Sequence, residues 1–333
     1  MSVLREEPEF LPRGPRPGGR VLGLSPIVSS LLVVVRKAVT EVARGSMPLL
    51  RAVRPKQWIK NVLVAAAPLA AGSLFDGTTP RLVLAAFVAF CLASSAGYLV
   101  NDLVDVEADR RHPTKQFRPI ASGEVRPNTA VVAAVVLGAA SIVVGWTLGA
   151  PRLALVIAVY LAVTLSYSLG LKRQPVFELA AVASGFVLRA IAGAAVTGLP
   201  LTQWFLLVAS FGSLFMVAGK RSAELMAATE NGSTARPSVT MYSASYLNFV
   251  WSVSAAGAIF AYALWSFEVG ATSGQVSWAQ VSVAPFVLAI LRYAVDVDSG
   301  RASSPEDVVL RDRGLQVLGI VWLATFVMAA NGV

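Results

Sequence analysis

The sequence predicts an all-α integral membrane protein with about nine transmembrane helices. Hydrophobic residues make up 56% of the 333-residue chain and charged residues 14%, whereas ordinary soluble domains carry about 25% charged residues. The mean hydropathy of +0.66 supports the same class. A third observation is the uneven distribution of lysine and arginine, which concentrate at one end of the predicted helices.

The predicted spans are apolar runs close to the ~20 residues that cross a bilayer, and several begin or end at proline or glycine. Residues 1–46 are interpreted separately, as a disordered Pro-, Gly- and Arg-rich tail followed by an interfacial helix from residue 26. A signal peptide is the alternative for that helix. Residues 47–333 form the predicted helical domain, with spans at about 57–75, 82–101, 128–149, 152–169, 177–198, 201–218, 244–267, 278–297 and 314–331.

Basic residues predict the orientation of the helices. If the N-terminus lies in the cytoplasm, the cytoplasmic segments hold 24 of the 28 lysines and arginines, and the opposite side holds Arg81 and Arg152. Cytoplasmic loops carry such an excess of positive charge. We therefore expect a cytoplasmic N-terminus, a C-terminus on the opposite side, and all the polar motifs described below on the cytoplasmic face.

Three aspartates follow directly on the second predicted span, at Asp102, Asp105 and Asp109. At about 100° per residue, these positions lie within about 60° of one another on a helix surface. Carboxylates on one stripe repel each other, and a bound divalent cation relieves that repulsion; Mg²⁺ usually takes one or two carboxylates together with substrate phosphates. A solvated acidic helix end is the alternative interpretation.

Basic side chains follow the aspartates within ten residues, and we expect Lys115 and Arg118 to contact phosphate. A metal on one side with Arg and Lys on the other suits a polyphosphate ligand. The alternative is a positive loop with incidental charges, and for Arg110 and Arg111 the two interpretations are balanced.

A second polar segment opens the first predicted span, with Lys56, Gln57, Lys60 and Asn61. Lys56 and Lys60 are four residues apart, so an α-helix would place them on one face. We expect this face to cradle a diphosphate or a lipid phosphate. For Lys56 the alternative is a residue that marks the membrane interface.

Glu178 opens the fifth predicted span, and Arg189 follows on the same helical face. Eleven residues place Arg189 about 16 Å deeper, where a charge is costly and usually faces a polar cavity. A snorkelling or structurally paired arginine is the alternative. Lys172 precedes this span, and Lys220 and Arg221 end the sixth span, where a helix pair of Lys220 with Glu224 is the alternative to a substrate contact.

The composition excludes several classes of site. Cys91 is the single cysteine, so no intrachain disulfide can form. His112 is the single histidine, so the chain lacks the residues for a classical His/Cys zinc site, and His112 alone would have to serve any Ser-His-Asp triad. The net charge of +9 is distributed by topology. No nucleic-acid-binding motif accompanies this charge, so we expect attraction to anionic lipid rather than to nucleic acid.

Several segments together resemble the UbiA-type intramembrane prenyltransferase superfamily, over about residues 50–333. The resemblance is carried by the predicted topology, by Asn101-Asp102-x-x-Asp105-x-x-x-Asp109 after the second span, and by Tyr167, Lys172, Arg173 and Glu178 before the fifth. Within the superfamily the match is strongest to the decaprenyl-phosphate phosphoribosyltransferases, through residues 54–61, 112–123, 185–193 and 219–224.

The resemblance implies an Mg²⁺-dependent phosphoribosyltransferase at the cytoplasmic face of the inner (plasma) membrane. Such enzymes move 5-phosphoribose from 5-phosphoribosyl 1-diphosphate to a polyprenyl phosphate, here decaprenyl phosphate, release diphosphate, and supply the precursor of cell-wall arabinan. The bilayer is a further partner, and the oligomeric state stays open, a homo-oligomer included. The implied residues are Asp102, Asp105, Asp109 and Glu178 for catalysis, Asn101 with the three aspartates for the metal, and Lys56, Gln57, Lys60, Asn61, Tyr98, Lys115, Arg118, Tyr167, Lys172, Arg189, Lys220 and Arg221 for substrate.

One departure from the superfamily pattern concerns the second acidic box before the fifth helix. This chain keeps only Glu178 there, with Val182 one turn on, so a second Mg²⁺ held wholly by that box is not expected. The nearest alternative function is transfer of a prenyl group from prenyl diphosphate to an aromatic or quinone-type acceptor. A transporter would instead require acids near the membrane midplane and internal repeats.

Overall fold

The structure, a computed structural model, describes residues 47–230, 241–270, 277–299 and 305–331. All regular secondary structure in these ranges is helical, so the predicted all-α class is confirmed. The predicted tail and interfacial helix of residues 1–46 lie outside the described residues.

The helices are numbered here in chain order over the described ranges. They are α1 Ala66–Ala70, α2 Thr79–Val104, α3 Val106–Arg110, α4 Pro127–Thr147, α5 Pro151–Leu169, α6 Phe177–Thr197, α7 Gln203–Glu230, α8 Ala244–Gly270, α9 Trp278–Asp298, α10 Pro305–Arg311 and α11 Arg313–Ala330. A long 3₁₀ helix, Pro55–Ala65, leads into α1, and two short ones, Lys115–Phe117 and Leu171–Arg173, precede α4 and α6.

Eight of these helices are long and apolar enough to cross a membrane, namely α2, α4 to α9 and α11. Each lies on one of the predicted spans, and the ends differ from the prediction by a few residues except in α7, which continues to Glu230, twelve residues beyond the predicted end at 218. Prolines begin α4 and α5, and a proline is the second residue of α2. Proline suits these positions because the first N–H groups of a helix have no partner within it. The predicted orientation of the termini remains a prediction.

The remaining predicted span, 57–75, is formed by the long 3₁₀ helix and α1. A 3₁₀ helix rises about 2.0 Å per residue and an α-helix about 1.5 Å. The eleven residues of Pro55–Ala65 and the five of Ala66–Ala70 therefore extend for about 30 Å, which is close to the thickness of the hydrocarbon core. The larger rise per residue of the 3₁₀ helix therefore lets this short segment cross the hydrocarbon core.

Burial along the long 3₁₀ helix follows its three-residue period. Asn61 and Val64 are its two buried residues, since residues three apart eclipse each other in this conformation. The predicted common face of Lys56 and Lys60 is wrong for the same reason: four residues advance by about 480° in a 3₁₀ helix, so the two side chains point about 120° apart.

Small residues allow the helices to approach one another closely. Along α4 the buried positions are Ala130, Ala134, Gly138, Ser141 and Gly145, and this stripe faces α2 and α5. Exposed valines cover other parts of the same helix. Small residues at helix contacts and branched apolar residues elsewhere are typical of a helix in lipid.

The long 3₁₀ helix lies between α2 and α6. Gly193 of α6 makes this possible, since a Cβ atom there would lie 1.9 Å from the carbonyl oxygen of Val64. At the far end of the segment Gly72 touches the backbone of Ala330, at the end of α11. The segment thus runs from the aspartates of α2 to the opposite end of the bundle. The end where Asp102, Asp105 and Asp109 lie is called the aspartate end below.

Candidate active site

The aspartates of α2 and the start of α6 lie at the same end of the bundle. Lys172, which precedes α6, forms an ion pair with Asp105. Glu178 is in the first turn of α6, six residues beyond Lys172. The two acidic segments singled out in the sequence therefore belong to one end of the protein.

A break in the helix at Asp105 arranges the three aspartates. Asp105 ends α2 and precedes α3, with φ −92° and ψ 5°. Its N–H still bonds to Asn101 O over 3.0 Å, and its carbonyl accepts the Asp109 N–H over 2.8 Å. Because the hydrogen-bond ladder continues through the break, Asp102 and Asp109 keep their common side. Both are buried, at 2% and 3% exposure.

Arg118 joins the two buried aspartates. Its Nη1 atom donates to Asp102 Oδ1 over 3.0 Å and to Asp109 Oδ2 over 2.6 Å. Arg118 follows the 3₁₀ helix Lys115–Phe117 in extended backbone conformation, immediately before Pro119. A residue before proline is driven toward this conformation, which here directs the arginine back onto the acids.

Arg54 supplies a second cation to Asp102. It forms an ion pair with Asp102 Oδ1, and its guanidinium lies 5.1 Å from the ring centroid of Tyr98, one turn earlier on α2. Arg54 has φ 54° and ψ 63°, the left-handed region that costs a non-glycine residue roughly 1–2 kcal/mol. The ion pair and the aromatic contact hold the residue in this conformation, next to the candidate site.

These contacts define an acid–base cluster of six side chains at the aspartate end. Its members are Asp102, Asp105, Asp109, Arg54, Arg118 and Lys172. The formal charges of the three acids and three bases cancel. The structure thus brings together five of the predicted site residues, and it adds Arg54, which the sequence analysis did not include.

The donor set of the cluster fits a hard divalent cation. Within the described ranges, no group of three or more acids, histidines or cysteines converges closely enough to hold a metal ion. Two carboxylates, those of Asp102 and Asp109, do share one cationic atom, Nη1 of Arg118. One or two carboxylates completed by substrate phosphate is the usual protein environment of Mg²⁺, so the arrangement suits a metal that arrives with a phosphorylated substrate.

Glu178 belongs to a second, more enclosed group on the same side. Its Oε1 accepts from Nε of Arg221 over 3.0 Å and also from Nη2, and Arg221 donates to Glu224 Oε2 over 2.6 Å. Glu178 is fully buried and Arg221 is 6% exposed. The Oε2 atom of Glu178 has no hydrogen-bond partner among the described residues. Arg221, predicted to bind substrate, is thus already bound by two acids.

A strained turn precedes Glu178. Val176 has φ 67° and ψ −53°, and the Phe177 N–H bonds to Pro175 O over 2.8 Å, which is the rare classic γ-turn. The Val176 N–H donates to the Tyr242 hydroxyl over 3.1 Å. Burial raises the pKa of this hydroxyl and the charge of Glu178 raises it further, so Tyr242 is protonated at neutral pH. Strain of this kind concentrates at functional sites.

Arg189 lies deep in the bundle. Its Nε donates to Asn61 Oδ1 over 2.7 Å, its Nη1 to Gly185 O over 2.6 Å, and its Nη2 to the Tyr160 hydroxyl over 3.0 Å. Asn61 in turn donates to Cys91 Sγ over 3.3 Å. Cys91 lies on α2, eleven residues or about 16 Å before Asp102. These contacts favour the structurally paired alternative for Arg189 and place Asn61 with it, away from the acid–base cluster.

The structure also places seven further predicted site residues. Lys56 is exposed, and the rest of this set is partly buried: Gln57, Lys60, Asn101, Lys115, Tyr167 and Lys220. Tyr98 reaches the cluster through Arg54. Arg54 has a signal in the sequence, a basic residue before proline at the start of an apolar run, whereas Tyr160 has none that separates it from its neighbours. Glu224, considered in the sequence as a partner of Lys220, pairs with Arg221 instead.

Two relatives and one solved structure resemble the chain over most of its length. Decaprenyl-phosphate phosphoribosyltransferase of Mycobacterium tuberculosis (strain H37Rv) is 55% identical over 279 residues, which cover 83% of this chain and 91% of the relative. The protein of the same name from Mycolicibacterium smegmatis is 51% identical over 288 residues, with 83% and 90% covered. A UbiA homologue from Archaeoglobus fulgidus, solved with GPP and Mg²⁺, has a TM-score of 0.63 at 18% identity and covers 86% of this chain and 98% of that one.

The structural likeness confirms the predicted fold, and the identities confirm the resemblance seen in the sequence. The profile of one family, described as the UbiA prenyltransferase family, matches residues 62–306. This range includes every acid of the two groups described above. The chain therefore belongs to the UbiA prenyltransferase family.

Proposed function

We propose that this protein transfers 5-phosphoribose from 5-phosphoribosyl 1-diphosphate to a polyprenyl phosphate, decaprenyl phosphate among them, and releases diphosphate. The name shared by the relatives at 51% and 55% identity supports this reaction. The chain is a phosphoribosyltransferase of the same type as these relatives. Its acceptor lipid, donor and metal are part of the proposal.

The observation that carries the proposal is the acid–base cluster. Carboxylates for a divalent cation and guanidinium and ammonium groups for phosphate lie within ion-pair distance of one another. The side chains of Arg54, Arg118 and Lys172 are 27%, 24% and 15% exposed, so a ligand can reach them. A phosphorylated donor that carries a metal ion requires both kinds of group in one place.

The chemistry needs no general base from the protein. The attacking group is a phosphate oxygen of the lipid, which is anionic at neutral pH. It forms a bond to C1 of the ribose while the bond from C1 to the diphosphate oxygen breaks, and diphosphate leaves with the electron pair. We expect in-line attack with inversion at C1. Such a reaction suits a chain whose single histidine is His112.

The protein contributes by positioning two anions and stabilising the leaving group. Arg118, Lys172 and Arg54 would hold the diphosphate, since preorganised positive groups favour the charge that develops as it departs. Mg²⁺, when bound by Asp102 and Asp109 with Asp105 or Asn101, supplies further charge neutralisation there. The negative charge of the nearby acids would stabilise the positive charge that develops on the sugar.

The same proposal includes the cellular setting. Eight apolar helices among the described residues make the chain a multi-pass membrane protein, and we place it in the inner (plasma) membrane with the aspartate end at the cytoplasmic face. The excess of lysine and arginine in the segments on that side supports this orientation. There the enzyme would meet a soluble phosphorylated donor and a lipid acceptor, and would supply the precursor of cell-wall arabinan.

The experiment that tests this function is a transfer assay on the purified protein in lipid nanodiscs. Donor labelled in the ribose is incubated with decaprenyl phosphate and Mg²⁺, and the lipid fraction is counted. We expect labelled lipid and one diphosphate released per labelled molecule. Absence of labelled lipid, together with prenylation of an aromatic acceptor by the same preparation, would replace this reaction by the alternative predicted from the sequence.

A further inference from the structure

We propose that Arg118 and Lys172 change partners during the reaction cycle. They neutralise the aspartates until metal and donor bind, and they then move to the donor's diphosphate while the metal takes over the carboxylates. This inference rests on the proposed function, because it assumes a diphosphate donor that carries a divalent cation. It assigns the two basic residues a role in loading the site in addition to contact with substrate.

The position of Arg118 is the first observation behind this inference. A single atom, Nη1, contacts one carboxylate oxygen of Asp102 and one of Asp109. These are the oxygens that a shared metal ion would use. Both acids are almost fully buried, and a buried carboxylate without a cation is costly. Arg118 therefore occupies the position in which the metal would be needed, and the two cations compete for the same oxygens.

The elements that carry the bases are the second observation. The acids lie on or beside helices α2 and α3, whereas Arg118 and Lys172 lie on short connecting segments next to or within three-residue 3₁₀ turns. Their side chains are 24% and 15% exposed, and that of Asp105 is 30% exposed. The bases can thus swing toward a ligand while the acids stay in place.

The pair formed by Arg221 and Glu178 shows the contrast. Its side chains are 7% and 0% exposed, and both belong to long helices, α7 and α6. Arg221 also binds Glu224. Such an enclosed pair has no room to exchange partners, so the proposed exchange is specific to the acid–base cluster.

An exchange of partners predicts opposite effects on two binding steps. Removing a base frees a carboxylate and strengthens the binding of metal alone, while it removes a phosphate contact and weakens the binding of donor. A base with a purely structural role would instead weaken both steps when it is removed. A base that only binds donor, without competing with metal, would leave the binding of metal unchanged.

The test uses the full-length protein in nanodiscs, with Mn²⁺ as the metal probe and electron paramagnetic resonance to count free Mn²⁺. Mn²⁺ is titrated first without donor, and phosphoribosyl diphosphate is then titrated at saturating Mn²⁺ without acceptor lipid. For Arg118→Gln and for Lys172→Gln we expect Mn²⁺ to bind about five- to tenfold more tightly and the donor at least about tenfold more weakly. A basic group beside a carboxylate lowers the affinity of that carboxylate for a proton by a comparable or larger factor.

Arg111→Gln is the matched control for the Mn²⁺ titration. Arg111 is exposed, lies two residues from Asp109, and makes no side-chain hydrogen bond or ion pair within the described part of the chain. The substitution removes the same charge, and we expect it to change Mn²⁺ affinity less than about twofold, because an exposed charge is screened. An equal gain in this control would overturn the inference, since it would show a general effect of net charge.

Unchanged or weaker Mn²⁺ binding in the two test variants would also overturn the inference. If Arg118→Gln does not fold, Lys172→Gln decides the question by itself, because the partner of Lys172, Asp105, is the most exposed acid of the cluster. Failure of the proposed function is a separate result: wild-type protein would then form no labelled lipid, whatever its affinity for Mn²⁺.

Discussion

Arg189 of α6 and Asn61 of the long 3₁₀ helix are joined by a hydrogen bond of 2.7 Å between Nε and Oδ1. The arginine is 5% exposed, and its direct hydrogen-bond partners are neutral: Asn61, Gly185 and Tyr160. Its guanidinium also lies 4.8 Å from the ring centroid of Tyr160, a favourable cation–π distance. The pair fixes the long 3₁₀ helix against α6, which begins at the candidate active site.

Replacing Asn61 by alanine tests the importance of this pair for stability. Asn61→Ala leaves the buried Arg189 Nε without its acceptor, and a hydrogen bond to a charged group is worth about 1.5–3 kcal/mol. We expect the free energy of unfolding to fall by about that amount, measured by equilibrium unfolding in mixed micelles. Asn101→Ala is the control, because the Asn101 side chain makes no hydrogen bond with the described residues, and a similar loss in this control would contradict the prediction.

Gly193 tests the close approach of α6 to the long 3₁₀ helix. A Cβ atom at this position would meet the backbone oxygen of Val64 at 1.9 Å, and backbone cannot swing away as a side chain can. We expect Gly193→Ala to lower the free energy of unfolding by at least about 1–3 kcal/mol through overpacking. Gly212 of α7 has no atom within 4 Å of the corresponding position, so Gly212→Ala should leave stability unchanged or slightly raised. Equal effects of the two substitutions would contradict the observed packing.

Glu178 and Arg221 form the enclosed pair beside the cluster, and a double-mutant cycle measures their coupling. Arg221→Gln alone leaves the fully buried Glu178 without its cation, which typically costs about 3–5 kcal/mol, whereas Glu178→Gln alone should cost less, because Arg221 keeps its ion pair with Glu224. The double variant should recover part of this loss, because neither charge then remains. Thermal unfolding of the three variants provides the measurement. Additive losses would show that the two side chains do not depend on each other.

Asp105 gives the clearest test of catalysis by the aspartates, since its side chain is 30% exposed and its described side-chain contact is the partly buried ion pair with Lys172. Asp105→Asn should reduce turnover by at least about 10²-fold, the usual scale for loss of one electrostatic group at a reacting centre, and should leave the fold intact. Glu107→Gln is the matched control: Glu107 is the exposed acid next to it on α3, paired with Arg110, and should retain activity. Normal turnover in Asp105→Asn would remove the proposed role of the aspartates.

The architecture was largely predictable because apolar run length and proline positions determine where membrane helices lie. In the part of the chain that the structure describes, eight predicted spans are observed as long apolar helices. The 3₁₀ form of Pro55–Ala65 was not predictable in the same way. An apolar run reveals that a segment is buried, but the choice between two helical forms depends on contacts with α2 and α6, which are distant in sequence. The predicted common face of Lys56 and Lys60 failed for this reason.

The site was predictable in its acids and less so in its pairing. Helical spacing placed Asp102 and Asp109 on one side, whereas Arg118 and Lys172, predicted to contact phosphate, pair with the aspartates in the structure. Spacing carries no information about which base meets which acid, because such pairs form across separate elements. Arg189 and Arg221 illustrate this limit, since both were predicted to bind substrate. In the structure Arg189 donates to Asn61 and Tyr160, and Arg221 donates to Glu178 and Glu224.

A structure of the protein with phosphoribosyl diphosphate and Mn²⁺, with the metal located by its anomalous signal, would show directly whether the acid–base cluster is the active site. We expect Mn²⁺ on the carboxylates of Asp102 and Asp109, with the diphosphate held by Arg118 and Lys172. Metal and diphosphate bound at another place, such as beside Arg189 or at the opposite end of the bundle, would contradict it.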